Sequence, residues 1–143
     1  MLFFSWHENE KGDILYLLIK FIQMASKQKN QYRQAEDMLE LAIQEMFKAE
    51  EDVVVPSVCI NSRNAILQYM KSFLQLNGVK LKEINTLESL RSQCSEINEE
   101  FQDLDLTAIN CRFETEHDDY CEELGKVKEC VEVARKIQQL VNC

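Results

Sequence analysis

Glycine and proline are nearly absent from this chain, and their scarcity constrains its fold more than any other feature. The 143 residues include three glycines and one proline. A β-sandwich or a doubly wound α/β fold needs many tight turns, and these two residue types form most of them. No stretch shows the alternation of apolar and polar residues that is typical of a strand. The sequence therefore predicts an all-α protein.

Apolar residues recur at spacings of three and four in several segments, which indicates amphipathic helices. The predicted helices cover residues 13–24, 32–50, 58–77, 86–104 and 122–141. Short connections make successive helices antiparallel, so we expect an up-and-down bundle of four to five helices. Thr86 and Ser57 are suitable N-caps, and Asn77-Gly78 is a suitable helix end.

The first predicted helix contains the strongest apolar run, ILYLLIKFIQM at residues 14–24. It is apolar on almost every face, so it must be buried against something. Its 11 residues include Lys20, whereas a membrane span needs about 20 residues, so no membrane association is expected. The polar residues 25–34 form either a linker or the exposed first turns of the next helix. We therefore divide the chain into an N-terminal helical extension, residues 1–30, and a bundle domain, residues 31–143.

The six cysteines do not form a metal-binding pattern. No pair has the spacing Cys-x-x-Cys and the chain has two histidines, so neither a metal nor another cofactor is expected. The start of the chain, MLFFSWHENEKGD, has no basic leader and soon becomes acidic, unlike a secretory signal. We therefore expect a cytoplasmic protein whose thiols are reduced and mostly packed as small apolar groups; disulfides are the alternative.

The net charge of −9 is concentrated in one part of the chain. Residues 85–123 contain 12 acidic and 2 basic side chains, and the other residues contain 13 acidic and 14 basic ones. A global basic footprint for nucleic acid is therefore absent. The acidic part is either a solvated face or a docking surface for a basic partner.

Three segments, taken in order, resemble the HEPN domain family ("higher eukaryotes and prokaryotes nucleotide-binding"). The first is the helix RQAEDMLELAIQEMFKAEE. The second is the central helix with its exit, NAILQYMKSFLQLNGVKLKEINTLESL. The third is the loop CRFETEHDDY ahead of the closing helix GKVKECVEVARKIQQLV. The resemblance covers about 110 residues and excludes residues 1–30.

The resemblance implies a helical bundle that often forms homodimers. Many family members work with a small nucleotidyltransferase encoded beside them, as in toxin–antitoxin pairs. Others bind nucleotides or substrates, and others are metal-independent endoribonucleases. We therefore expect a non-catalytic nucleotide-binding and interaction module first. An RNase toxin and a purely structural helical domain are the alternatives.

The RNase alternative depends on Arg112 and His117, which have the Arg-x4-His spacing of the nuclease members, with Tyr120 beyond them. Metal-independent RNA cleavage needs an acid or base that titrates near neutral pH, which histidine supplies. It also needs a fixed cation for the phosphate, which arginine supplies. By analogy with toxin members, Tyr120 is also a candidate for nucleotide attachment.

Other features of the same loop favour a non-nuclease member. Phe113 follows the arginine where nuclease members usually have a polar residue. Four carboxylates surround the motif and would repel an RNA backbone: Glu114, Glu116, Asp118 and Asp119. The pair Arg112-Phe113, followed by an acidic turn and a tyrosine, aligns equally well with members that lack a catalytic histidine.

Two polar residues on the central helix are further candidates for ligand contact. Arg63 and Asn64 precede Tyr69 by more than one helical turn. They either line a pocket for a nucleotide between helices, or satisfy a helix end and face solvent.

Overall fold

The computed structural model describes residues 2–82, 85–106 and 124–142, together with their side chains outside 2–12 and 24–29. Within these ranges the chain is helical and has no strand, which confirms the predicted all-α class. The four α-helices are α1 (Leu2–Met46), α2 (Val55–Leu76), α3 (Leu87–Ile97) and α4 (Leu124–Asn142). Two short 3₁₀-helices, Glu50–Asp52 and Glu99–Asp103, follow α1 and α3.

Helix α1 is a single helix of 45 residues. The interpretation of residues 25–34 as a linker is therefore wrong. No glycine or proline occurs between residues 13 and 46. Most of the polar residues in this stretch are lysine, glutamine and arginine, which are good helix formers. A polar composition alone therefore did not end the helix.

Local capping residues fix several helix ends. The Thr86 hydroxyl accepts a hydrogen bond from the Ser89 backbone N–H at 3.1 Å, which confirms Thr86 as the N-cap of α3. Gly78 has a φ of 77° directly after α2, as a left-handed helix end requires. Ser57 is not an N-cap, because α2 already begins at Val55 with Pro56 in its first turn, where no backbone N–H is needed.

Helix α2 forms the centre of the bundle and packs against the other three helices. Its buried side chains include Ile66, Tyr69, Met70 and Leu74. The ring centroids of Phe73 and Phe101 are 5.0 Å apart. Cys59, Cys94 and Cys130 are also buried. These three thiols pack as small apolar groups in the core, as expected from the sequence.

The N-terminal half of α1 differs from the sequence-based expectation. Every side chain from residue 13 to residue 23 is exposed, so the described part of the chain does not bury these residues of the apolar run. Among the described side chains of α1, the first that is fully buried is Ala35, followed by Leu39 and Ala42. The part of α1 that packs in the bundle therefore begins near Tyr32.

Candidate functional site

The residues proposed for RNase chemistry, Arg112, His117 and Tyr120, lie outside the described residues. The catalytic hypothesis that depends on them stays a prediction.

Arg63 and Asn64 are half-buried on α2. Arg63 lies near the contact between Cys59 of α2 and Cys130 of α4, where its charge acts on the Cys130 thiol. The hydrogen bond with Cys59 and burial raise the pKa of Cys130, and the Arg63 charge offsets only part of this rise. Cys130 therefore stays a protonated thiol at neutral pH, which is a poor nucleophile.

A groove of about 240 Å³ lies between the end of α1 and the first half of α4. Its apolar side chains are Ile43, Met46, Phe47 and Val131, and its charged side chains are Lys128, Glu132 and Arg135. Neither Arg63 nor Asn64 lines this groove. We name it the α1–α4 groove.

The α1–α4 groove combines an aromatic ring with two cations. Phe47 follows the last turn of α1 and is 83% exposed, so its ring is accessible to a ligand. Lys128 and Arg135 are seven residues apart on α4, which places them on the same face, about 10 Å apart along the helix axis. Neither forms an ion pair with another described residue. The groove can therefore accept an anionic ligand that carries a flat apolar group.

Helix α4 has a net positive charge although the chain as a whole is acidic. It contains four basic and two acidic residues, whereas the whole chain has a net charge of −9. The net positive charge of α4 attracts anionic ligands toward the groove.

A second polar feature, which we name the Glu36 clasp, joins α1, α2 and α4. The Glu36 carboxylate accepts a hydrogen bond from the Tyr69 hydroxyl at 2.8 Å and two from the Gln138 amide at 2.8 and 3.0 Å. The Tyr32 hydroxyl hydrogen bonds to Asn142 at the end of α4. The rings of Tyr32 and Tyr69 meet edge to face, with their centroids 5.6 Å apart.

The protonation states of the Glu36 clasp are fixed at neutral pH. Burial opposes ionisation of Glu36, but the hydrogen bonds from Gln138 and Tyr69 outweigh it and lower the pKa of the carboxyl group. Burial and the hydrogen bond to Glu36 raise the pKa of Tyr69. Neither group exchanges a proton near pH 7, so the clasp is a structural contact and not an acid–base pair.

Sequence reasoning missed the Glu36 clasp and the lining of the α1–α4 groove. The signal for the clasp was an acidic residue, Glu36, on the apolar face between Tyr32 and Leu39. The signal for the groove was the spacing of Lys128 and Arg135, which are seven residues apart and so lie on one face of α4.

No three His, Cys, Asp or Glu side chains in the described parts of the chain are grouped so that they could hold a metal ion. None of the described helices has a stretch long and apolar enough to cross a membrane. Comparison with protein families, with curated proteins and with solved structures found no match to this chain. The HEPN resemblance therefore depends on the sequence segments named above.

Proposed function

We propose that this protein is a HEPN-like, non-catalytic module that binds a nucleotide in the α1–α4 groove. In this proposal it acts in the cytoplasm as a homodimer, together with a nucleotidyltransferase-type protein, as in a toxin–antitoxin pair. The observation that carries the binding function is the combination of the exposed Phe47 ring with the cations Lys128 and Arg135 in one groove.

Apart from the Glu132 carboxylate, which repels phosphates, the groove offers a matching contact for each part of a nucleotide. The Phe47 ring is available for stacking with a base, and Ile43 and Val131 supply further apolar contact. Arg135 and Lys128 supply charge-assisted hydrogen bonds for phosphates. At about 240 Å³ the groove is smaller than most ligand pockets, so we expect the phosphates to lie at its rim, partly in water.

Calorimetric titration of the full chain with ATP tests the binding function. We expect saturable binding that weakens as salt is raised, because the phosphates neutralise exposed cations. Arg135→Gln and Phe47→Ala should each weaken binding roughly tenfold, which corresponds to about 1.4 kcal/mol. Lys136→Gln is the matched control, because Lys136 is an exposed base on α4 that does not line the groove.

Two results would contradict nucleotide binding in the groove. One is the absence of any heat of binding at millimolar ATP. The other is equal affinity of the wild type and the Arg135→Gln variant. Tripolyphosphate serves as a probe without a base, and we expect Phe47→Ala to leave its affinity unchanged.

The partner function is supported by the acidic residues of α3 and the 3₁₀-helix after it. The six acidic side chains between residues 85 and 106 are all exposed, against one basic residue, Arg91, which is paired with Glu88. Such a surface attracts and orients a basic partner. Co-purification with the product of an adjacent nucleotidyltransferase gene tests this, and replacement of Glu99 and Glu100 by lysine should weaken it.

An endoribonuclease is the second candidate function, and the Arg-x4-His spacing of Arg112 and His117 favours it. Arg112→Ala and His117→Ala should each abolish RNA cleavage and growth inhibition. Wild-type behaviour of both variants would exclude this function. Loss of cleavage together with intact ATP binding in the groove would show that the two functions are separate.

A further inference from the structure

The N-terminal half of α1 presents an apolar surface that no other part of the described chain covers. Eight large hydrophobic side chains between residues 14 and 22 are each more than half exposed, from 52% for Leu18 and Ile19 to 73% for Phe21. The set is Ile14, Leu15, Tyr16, Leu17, Leu18, Ile19, Phe21 and Ile22. We name residues 14–22 the apolar segment.

The apolar segment exposes about as much apolar area as each partner buries in a standard interface, and a packed helix covers the part of this area that faces it. Eight side chains of this size, more than half exposed, leave on the order of 800 Å² of apolar surface in water, since large side chains bury about 150–250 Å² each. A standard interface buries about 800 Å² on each partner. Isolated exposed hydrophobic residues are normal, whereas a continuous patch of this size marks an interaction site.

The dimensions and charges of the apolar segment do not fit a lipid bilayer. Nine helical residues extend over about 14 Å, less than half of the ~30 Å hydrocarbon core. Its one basic residue, Lys20, lies between Ile19 and Phe21, so the segment lacks the polar, lysine-rich face of a helix that lies on a membrane surface.

A second copy of the chain fits better, because α1 separates the apolar segment from the bundle that carries the acidic side chains of residues 85–106. From Ile22 to Ala35, the first fully buried residue among the described side chains of α1, the helix extends about 20 Å, which is twice the Debye length of ~10 Å. Two copies that meet bundle to bundle would bring their acidic residues together. Two copies that meet at the apolar segment keep those charges apart by more than the range of their repulsion.

We propose that the apolar segments of two copies pack against each other as antiparallel helices and form the dimer interface of this protein. The arrangement is isologous, so each copy contributes the same residues to the contact. It does not depend on nucleotide binding, because the α1–α4 groove lies beyond Tyr32, on the part of α1 that packs in the bundle. The interface rests on the homodimer of the proposed function, whereas nucleotide binding is independent of it, so the calorimetric and sedimentation results distinguish the two.

Sedimentation equilibrium of the full chain, and of a variant with Leu15, Leu18 and Ile22 replaced by glutamine, tests this interface. The wild type should have a mass of twice 16.8 kDa. The triple variant should dissociate at least 100-fold more readily, because it removes three apolar side chains from the contact. Glutamine is a good helix former and the replaced residues are exposed, so far-UV circular dichroism should show an unchanged helix content.

Leu76→Gln is the matched control, since Leu76 is 60% exposed but lies at the end of α2. It should leave the dimer unchanged. A monomeric wild type at 100 µM, or a triple variant that associates as strongly as the wild type, would overturn the proposal. So would association of the wild type with phosphatidylcholine–phosphatidylserine vesicles at the expense of the dimer. A larger assembly that the triple variant loses would support packing between copies.

Discussion

Glu36 shows at the residue scale how an acidic side chain on an apolar helix face stabilises the bundle. A half-buried carboxylate such as that of Glu36 is tolerated when hydrogen-bond donors surround it, and Tyr69 and Gln138 supply these donors from two other helices. Hydrogen bonds to an ionised group are stronger than those between neutral groups. The Glu36 carboxylate therefore holds α1, α2 and α4 in register.

We predict that Glu36→Gln lowers the free energy of unfolding by about 2 kcal/mol, because it removes charge-assisted hydrogen bonds from Tyr69 and Gln138. Urea denaturation followed by circular dichroism measures this as a lower midpoint with an unchanged slope. Asp37→Asn removes the same charge from the next, exposed position and should change the stability by less than about 0.5 kcal/mol. Equal midpoints for the two variants would contradict a stabilising role of the clasp.

At the scale of the helices, Gly78 and Gly125 differ in backbone conformation, and replacing each by alanine shows how strongly that conformation limits the residue type. At both Gly78 and Gly125, the position that a Cβ would occupy has no atom within 4 Å apart from the adjacent residues and, for Gly125, the backbone of its own helix. They differ in conformation, because Gly78 has a φ of 77° and Gly125 lies inside α4. A substitution at either position therefore isolates the effect of the backbone.

We predict opposite effects for the same substitution at these positions. Gly78→Ala should destabilise the protein by about 1 kcal/mol, because an L-residue is strained in the left-handed conformation. Gly125→Ala should stabilise it by about 0.5–1 kcal/mol, because alanine loses less conformational entropy in a helix. Thermal unfolding of both variants measures the difference, and a loss of stability in both would show that steric contact decides instead.

The helices also show which features the sequence could predict. Thr86 and the Asn77-Gly78 pair give local signals, and the structure confirms both. The linker considered for residues 25–34 and the cap at Ser57 are wrong, because a polar composition does not end a helix and α2 already begins at Val55, with Pro56 in its first turn.

Contacts between helices were harder to predict than helix boundaries. The Glu36 clasp joins residues 102 positions apart, and the α1–α4 groove depends on how α4 lies beside α1. Helical spacing identifies the face on which a side chain lies but not the partner helix. This is why Phe47 and Arg135 were absent from the candidate site residues derived from the sequence.

At the scale of the whole molecule, titration of buried groups sets the pH range of stability. The native pKa of Glu36 is lowered relative to its ordinary value of 4.5, so the unfolded state binds more protons in acid. The native pKa of Tyr69 is raised by burial and by its hydrogen bond to Glu36, and burial raises that of Cys94 to about 12. As the pH rises, Tyr69 and Cys94 therefore lose their protons at a lower pH in the unfolded state than in the native state.

We therefore predict a plateau of stability that falls at both ends of the pH scale. The Glu36 contribution is present above pH 4.5 and disappears as the pH falls through its lower native pKa. The contributions of Cys94 and Tyr69 are present below their ordinary pKa values of 9.0 and 10.0 and disappear as the pH rises toward the native ones. Melting temperatures between pH 3 and 11 measure this. Glu36→Gln should flatten the acidic side; an unchanged acidic slope would contradict the assignment.

The hydrogen bond between Tyr32 and Asn142 has a consequence for the kinetics of folding. It closes a chain segment of 110 residues, whose loop-closure entropy costs about 4 kcal/mol. Helices α1 and α2 are joined by the short connection 47–54, so they meet at a much lower entropic cost. We expect α4 to dock after α1 and α2 have paired, so contacts to α4 contribute to the rate of unfolding more than to the rate of folding. The lifetime of the native bundle is then set by how slowly α4 detaches.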